Sequence, residues 1–145
     1  MESRVGFQPN DHLIKVKGGA EYLEVKWRLV WFRREHPNGR ILTEVLEHDR
    51  EDRYARVKAR VEYDWVDCNG VSQLGVAESS GTETAKDFAD YLEKAETKSI
   101  GRALAALGFG TQFAEEIDML NPDGSQHVVD APVNTLRQPN GRKVR

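Results

Sequence analysis

The sequence holds a single cysteine, Cys68, so it can build neither an internal disulfide framework nor a cysteine-based zinc site. It has no apolar run long enough to span a bilayer, and Met1 is not followed by a signal-peptide pattern. The glycine pair Gly18-Gly19 lacks the Gly-Lys-Ser/Thr step of a phosphate loop, and no nucleophile elbow or dinucleotide fingerprint appears. His12, His36, His48 and His127 are scattered without metal-ligand spacing. These absences lead us to expect an intracellular, cytoplasmic protein that is not an enzyme and carries neither metal nor cofactor.

What is present suits one domain with a core of its own, at 145 residues. Net charge is −3, unevenly spread: residues 12–60 hold 12 Lys/Arg against 8 Asp/Glu, whereas residues 61–114 hold 4 against 9. Screening confines each charge to a Debye length of roughly 8–10 Å, so a mildly acidic chain can still present a basic groove.

Leu13 to Lys17 alternates like a short strand stopped by the glycine pair. Tyr22 to Glu35 predicts a helix ending before Pro37, with Val25, Leu29 and Phe32 on one side and Trp27, Val30 and Trp31 nearly opposite. A helix apolar on two faces needs two partners. We expect its own sheet to be one and a neighbouring subunit the other, which makes Trp27, Val30 and Trp31 a candidate oligomer interface. Packing beneath the N-terminal segment is the equal alternative.

Ile41 to His48 predicts a strand, and Tyr54 to Val66 gives the clearest strand pattern. There Ala55, Val57, Ala59, Val61, Tyr63 and Trp65 alternate with Arg56, Lys58, Arg60, Glu62 and Asp64. Asn69-Gly70 then suits a two-residue hairpin loop, pairing Cys68 with Val71, Trp65 with Leu74 and Tyr63 with Val76. That register leaves Gly75 and Ala77 opposite Asp64 and Glu62. The chain next turns at Gly81 to Thr84 into a long helix, capped by Thr84 and closed at Gly108 and Gly110. Along it Phe88, Leu92, Ala95, Ser99, Ala103 and Leu107 form the apolar face, while Lys94, Lys98 and Arg102 rise four apart as a column.

The expected fold is α+β: an antiparallel β-β-β sheet with a long C-terminal helix packed on it, preceded by an N-terminal helix. Residues 1–114 form the core domain. Residues 115–145, with Asn121-Pro122-Asp123-Gly124 and a terminal Arg142, Lys143, Arg145 cluster, are expected to be a mostly disordered tail.

Two basic rows carry the candidate chemistry. Arg56, Lys58 and Arg60 stand about 6.6 Å apart along a strand face, and Lys94, Lys98 and Arg102 about 6 Å apart along the helix. Both intervals match phosphates along an extended single strand, and guanidinium groups suit forked bonding to phosphate. A plain solubility role for each row is the competing reading. Asp49, Glu51 and Asp52 could hold a nuclease's cation, but they lie in a hairpin loop interleaved with Arg50 and Arg53, where a solvated turn is the simpler reading.

The stretch GTETAKDF followed by EKAETKSIGRALAALGFGT, with HLIKVKGGAEYLEVKWRLVWFRREHP upstream, resembles the Rad-fifty-two superfamily of single-strand annealing proteins. It is similar to the bacterial DNA-damage-response type DdrA and to related phage annealing proteins, over roughly residues 5–113. The resemblance implies a β-β-β-α core assembled into homo-oligomeric rings or arcs, with single-stranded DNA in a basic groove on each subunit. It implies ATP-independent annealing or end protection in DNA repair and recombination, and a nucleoid-associated cytoplasmic location. A recombinase or a single-strand-binding protein is a further implied partner. Arg102 matches the DNA-facing arginine of the family's helix motif. Eukaryotic members place basic residues where Gly101 and Ala105 stand, and Lys98 compensates one turn earlier. The row Arg56, Lys58, Arg60 matches the groove-facing sheet in position and character.

One rival binding module fits the same element order. Helix, three strands, helix is also the plan of a double-stranded RNA-binding module, which would be monomeric and prefer an A-form duplex. A metal-dependent nuclease built on Asp49, Glu51 and Asp52, and a structural oligomer that binds no nucleic acid, complete the alternatives.

Overall fold

The computed structural model describes residues 6–16 and 18–111. The expected boundary at 114 and the tail 115–145 lie outside these residues. A single 3₁₀ turn, Pro9–His12, leads into a small hairpin of β1 (Leu13–Lys15) and β2 (Glu21–Leu23) turning at Gly18-Gly19. Tyr22 and Leu23, expected on a helix, instead belong to β2 and are fully buried. Helix α1 (Val25–Glu35) then runs to His36, whose N–H donates to the Phe32 carbonyl at 2.7 Å.

The central sheet has the order β3 (Arg40–Asp49), β4 (Tyr54–Val66), β5 (Ser72–Thr84), all antiparallel. The alternation in β4 is realised in burial as far as Val61, whereas Trp65, expected on the core face, is 44% exposed because the hairpin runs past the helices. Ala55, Val57, Ala59 and Val61 are fully buried beneath the helices, and Arg56, Lys58 and Arg60 point the other way. Helix α2 (Tyr91–Ala106) lies over β4 and β5 on the same face as α1. The core joins Phe32 of α1, Ala59 and Val61 of β4, Ala103 and Leu104 of α2, and Phe109 just beyond it. The chain is therefore α+β with a three-stranded antiparallel sheet and two helices on one side.

Two expectations need correction. The long helix does not begin near Thr84. β5 continues to Thr84, a turn follows in which Asp87 and Phe88 donate to the Thr84 carbonyl, and α2 starts after Asp90. Gly81 is a strand residue, and α2 sits so close there that a Cβ would lie 2.9 Å from Lys98 Cβ and 3.0 Å from the Ser99 nitrogen. The small residues of the strand and helix together set that approach.

The second correction is the register of the β4–β5 hairpin. Val66 pairs with Ser72, Trp65 with Gln73 and Tyr63 with Gly75, one residue away from the two-residue Asn-Gly loop. The cause is Asp67. Its carboxylate accepts the backbone N–H groups of Asn69 (2.8 Å) and Val71 (3.0 Å) and the Gln73 side chain (3.0 Å), closing a longer turn in which Gly70 takes a φ of 79°. A one-residue shift exchanges the faces of a whole strand. Leu74 and Val76 consequently emerge on the outer face opposite Asp64 and Glu62, while Gly75 and Ala77 take the inner face. Tyr63 lays its ring over the vacant Gly75 position, where a Cβ would come within 2.4 Å of it.

Candidate nucleic-acid interface

The strand row stands on the outer face of the sheet, and each of its cations meets a carboxylate from a neighbouring position. Arg56 pairs with Glu47 at 2.6 Å, Lys58 with Glu44 and Glu78 at 3.8 Å each, and Arg60 with Glu62 at 2.5 Å and Glu78 at 3.1 Å. Arg40 closes the lattice against Glu62 at 2.8 Å and Asp64 at 3.8 Å. The Arg40 and then the Arg60 hydrogen bonds hold the Glu62 carboxyl below the usual glutamate range. This face is charge-compensated, so a phosphate chain entering it would have to displace carboxylates already in place.

The helix column lies on the other side of the sheet, because α2 packs on the face that β4 turns inward. Lys98 bends back to the β5 edge. Its ammonium sits 3.4 Å from Glu83 and donates to the Thr82 carbonyl at 3.3 Å. Glu83 is only 4% exposed, and burial lifts its carboxyl above the ordinary value despite Lys98 beside it. Arg102 is half-buried and engaged in an interaction of its own. Lys94 lies over the Phe88 ring at 5.8 Å. The two rows are thus separated by the sheet and do not meet in one groove within a subunit.

Trp27 and Trp31 pack against the N-terminal segment, the alternative to an intersubunit contact. His12 stacks on Trp27 with ring centroids 3.8 Å apart, and Phe7 stacks on His12 at 5.1 Å and on Trp31 at 5.6 Å. Trp31 also meets the edge of Phe109 at 5.4 Å. Val30 remains half-buried on the same helix. Lys26 reaches over the Trp27 ring at 5.6 Å.

The acidic turn proves to be a turn. Asp49 accepts the N–H groups of Glu51 at 2.9 Å and Asp52 at 2.8 Å, which ties its carboxylate to its own loop. A shallow recess is lined there by Glu47, His48, Asp49, Arg50, Glu51 and Tyr54. Among the described residues no three His, Cys, Asp or Glu side chains converge to hold a metal ion. Nor is any helix among them long and apolar enough to cross a membrane.

Besides Lys15 on β1, a different set of cations stands exposed with no carboxylate in ion-pair reach among the described residues. It comprises Lys26, Arg33 and Arg34 on α1, Arg50 and Arg53 in the β3–β4 turn, and Lys86 before α2. His48 and Tyr91, 3.0 Å apart, join that turn to the start of α2. No row spacing marks these cations in the sequence, because they come from three separate elements. The hint is negative: none lies on a strand of the central sheet, where carboxylates from adjacent strands find their partners.

No curated protein matches the chain significantly. Residues 29–107 match the model of the Slr1353 N-terminal dsRNA-binding domain-like family. That span runs from within α1 to the end of α2, enclosing the three strands of the central sheet, all of α2 and the last seven residues of α1. The chain belongs to the Slr1353 N-terminal dsRNA-binding domain-like family.

Proposed function

We propose that this chain binds nucleic acid through the sugar-phosphate backbone, and that its preferred ligand is an A-form RNA duplex. The observation that carries this reading is the placement of its exposed cations that make no ion pair among the described residues. Apart from Lys15 on β1, they sit on α1, at the entrance to α2 and in the β3–β4 turn, while the outer sheet face is neutralised by its own acids. Three separated stations suit a ligand recognised by shape, since duplex RNA is engaged across successive minor grooves and the phosphates between them. Such contacts position the protein without reading base sequence. The family's description supports the same ligand class. The test is competition between duplex RNA, duplex DNA and single-stranded DNA, followed by fluorescence anisotropy over a salt series. Tightest binding to duplex RNA is expected, and no binding to any of the three would remove the proposal.

A second reading is single-stranded DNA binding, with ATP-independent annealing or end protection by a ring-forming homo-oligomer. It is favoured by the half-buried stack of Phe7, His12, Trp27 and Trp31, which lies largely ahead of the family-matched span. Aromatic faces beside a cation such as Lys26 suit unpaired bases. Preference for single-stranded DNA in the same competition, together with large assemblies on a sizing column, selects this reading. A recombinase or a single-strand-binding protein would then be the natural partner.

A further inference from the structure

The far end of the β4–β5 hairpin is apolar on both faces and belongs to no core. Five of the eight large hydrophobic side chains exposed among the described residues are here: Trp65 (44%), Val66 (67%), Val71 (52%), Leu74 (52%) and Val76 (42%). Trp65 faces the helix side, whereas Val66, Leu74 and Val76 face outward. β3 pairs with β4 only as far as Glu62, so β4 from Tyr63 to Val66 has an unpaired edge. A solvent-facing apolar patch with an open strand edge is a docking site.

Its charge says what docks there. No Lys or Arg occurs between Val61 and Ala85. At the tip Asp64 is 63% exposed, with Arg40 of β3 its one cation among the described residues, at 3.8 Å, and Asp67 is held below the usual aspartate range by the Gln73 side chain and the Val71 and Asn69 N–H groups. A polyanion is repelled by such a surface, and a basic apolar segment is attracted. This chain supplies one. After Asp130 it contains no acid, and residues 133–145 hold Arg137, Arg142, Lys143 and Arg145 with Val133, Leu136 and Val144.

The route is short. The described chain ends at Thr111, two residues past Phe109, whose ring meets His36 at 6.0 Å; His36 stacks on Tyr63 at 4.0 Å at the base of the hairpin. From Tyr63 to the turn the hairpin extends roughly 13 Å, and the residues between Thr111 and Val133 can span about 70 Å when extended. Tethering puts the segment at an effective concentration on the order of millimolar. We propose that the basic segment 133–145 of this chain seats on its own β4–β5 hairpin, covering Trp65, Val66, Leu74 and Val76. The proposal is independent of which nucleic acid the domain binds.

The single exposed cysteine, Cys68, lies in the hairpin turn and accepts a nitroxide without any engineering. With the full chain isotopically labelled, paramagnetic broadening at low salt should erase the amide signals of 133–145 and spare those of 115–125. Reducing the nitroxide should restore them, as should raising the salt to about 1 M, where the Debye length falls to about 3 Å. The Arg142→Glu/Lys143→Glu/Arg145→Glu chain should lose the broadening, and Asp64→Asn should weaken it. Unbroadened tail signals overturn the proposal. So does broadening that persists undiminished when nitroxide and isotope are on different molecules, which would make a second copy the occupant.

Discussion

The guanidinium of Arg28 spans the two helices: Nη1 donates to the carbonyl of Gly101 at 3.0 Å, inside α2. Its Nε donates to the Leu23 carbonyl at 2.8 Å, and the group lies 5.1 Å from the centre of the Tyr22 ring. Arg28 is fully buried. One side chain therefore fastens α1, β2 and α2 together, and the glycine of the Gly-Arg-Ala-Leu step is where it lands. That part of the helix motif is explained by packing before any ligand is invoked.

Arg28→Lys keeps the charge but loses the planar fork, so one of the two carbonyl bonds goes unmade. We expect destabilisation by about 1.5–3 kcal/mol, read as a lower urea midpoint with an unchanged slope. A midpoint equal to the parent's would show that the bridge contributes nothing to stability.

Gly81→Ala adds a methyl group where Lys98 Cβ and the Ser99 backbone already stand at 2.9 and 3.0 Å. Backbone does not yield as a side-chain tip does, so α2 must lift from β5. Destabilisation by about 1–3 kcal/mol is expected. Thermal melts of Gly81→Ala beside a Gly6→Ala control, where no heavy atom lies within 4 Å, will show whether the close approach is required.

Two glutamates should bend the pH profile in opposite directions. Burial, opposed by Lys98, lifts the Glu83 carboxyl, so folding favours its protonated form. Its contribution is complete below the ordinary glutamate value and disappears as pH rises through the lifted one. Glu62 is lowered by Arg40 and Arg60, so its contribution holds above the ordinary value and disappears as pH falls through the lowered one. In denaturation midpoints between about pH 3 and pH 7, Glu83→Gln should remove a rise on acidification and Glu62→Gln part of a fall. Parallel profiles for parent and variants would contradict both assignments.

Nucleic-acid affinity should track the exposed cations that make no ion pair among the described residues. Lys26→Glu/Arg33→Glu/Arg34→Glu is expected to weaken binding to duplex RNA. The slope of log affinity against log salt should flatten by roughly 0.7–0.9 for each phosphate no longer neutralised. Arg56→Gln/Lys58→Gln/Arg60→Gln should change affinity far less, since those side chains already answer Glu44, Glu47, Glu62 and Glu78. The reverse ranking in a filter-binding series would return the interface to the outer sheet.

β3 and β4 are legible in the sequence, whereas β2, the far end of β5 and most of the site are not. β4 alternates without a break, so its ends can be read directly at Tyr54 and Val66 and its buried face as far as Val61. The start of α2 cannot, because Thr84 and Asp87 imitate a helix cap while forming a turn. The hairpin register misleads because Asn-Gly favours a two-residue loop locally, and one carboxylate at Asp67 outweighs it. The basic rows are visible as spacing, but their partners are not. Glu78 reaches Arg60 from 18 residues away, and Glu83 reaches Lys98 from the neighbouring strand. Row spacing belongs to one element, whereas neutralisation is decided between elements. Lys98→Glu is for that reason a poor probe of ligand binding, since it would set a second carboxylate beside a buried one.

The hairpin's alignment is fastened at two distant places, by the Asp67 carboxylate at the turn and by Gly81 beneath α2. Sliding β5 by one residue to tuck Leu74 and Val76 inward would bring Ser80 or Thr82 under the helix, where only a missing side chain fits. Slippage is closed to this protein as a way of hiding its oily tip. Over generations the surface can be lost only by replacing Leu74 and Val76 themselves, so whatever covers them has been free to depend on their staying outside.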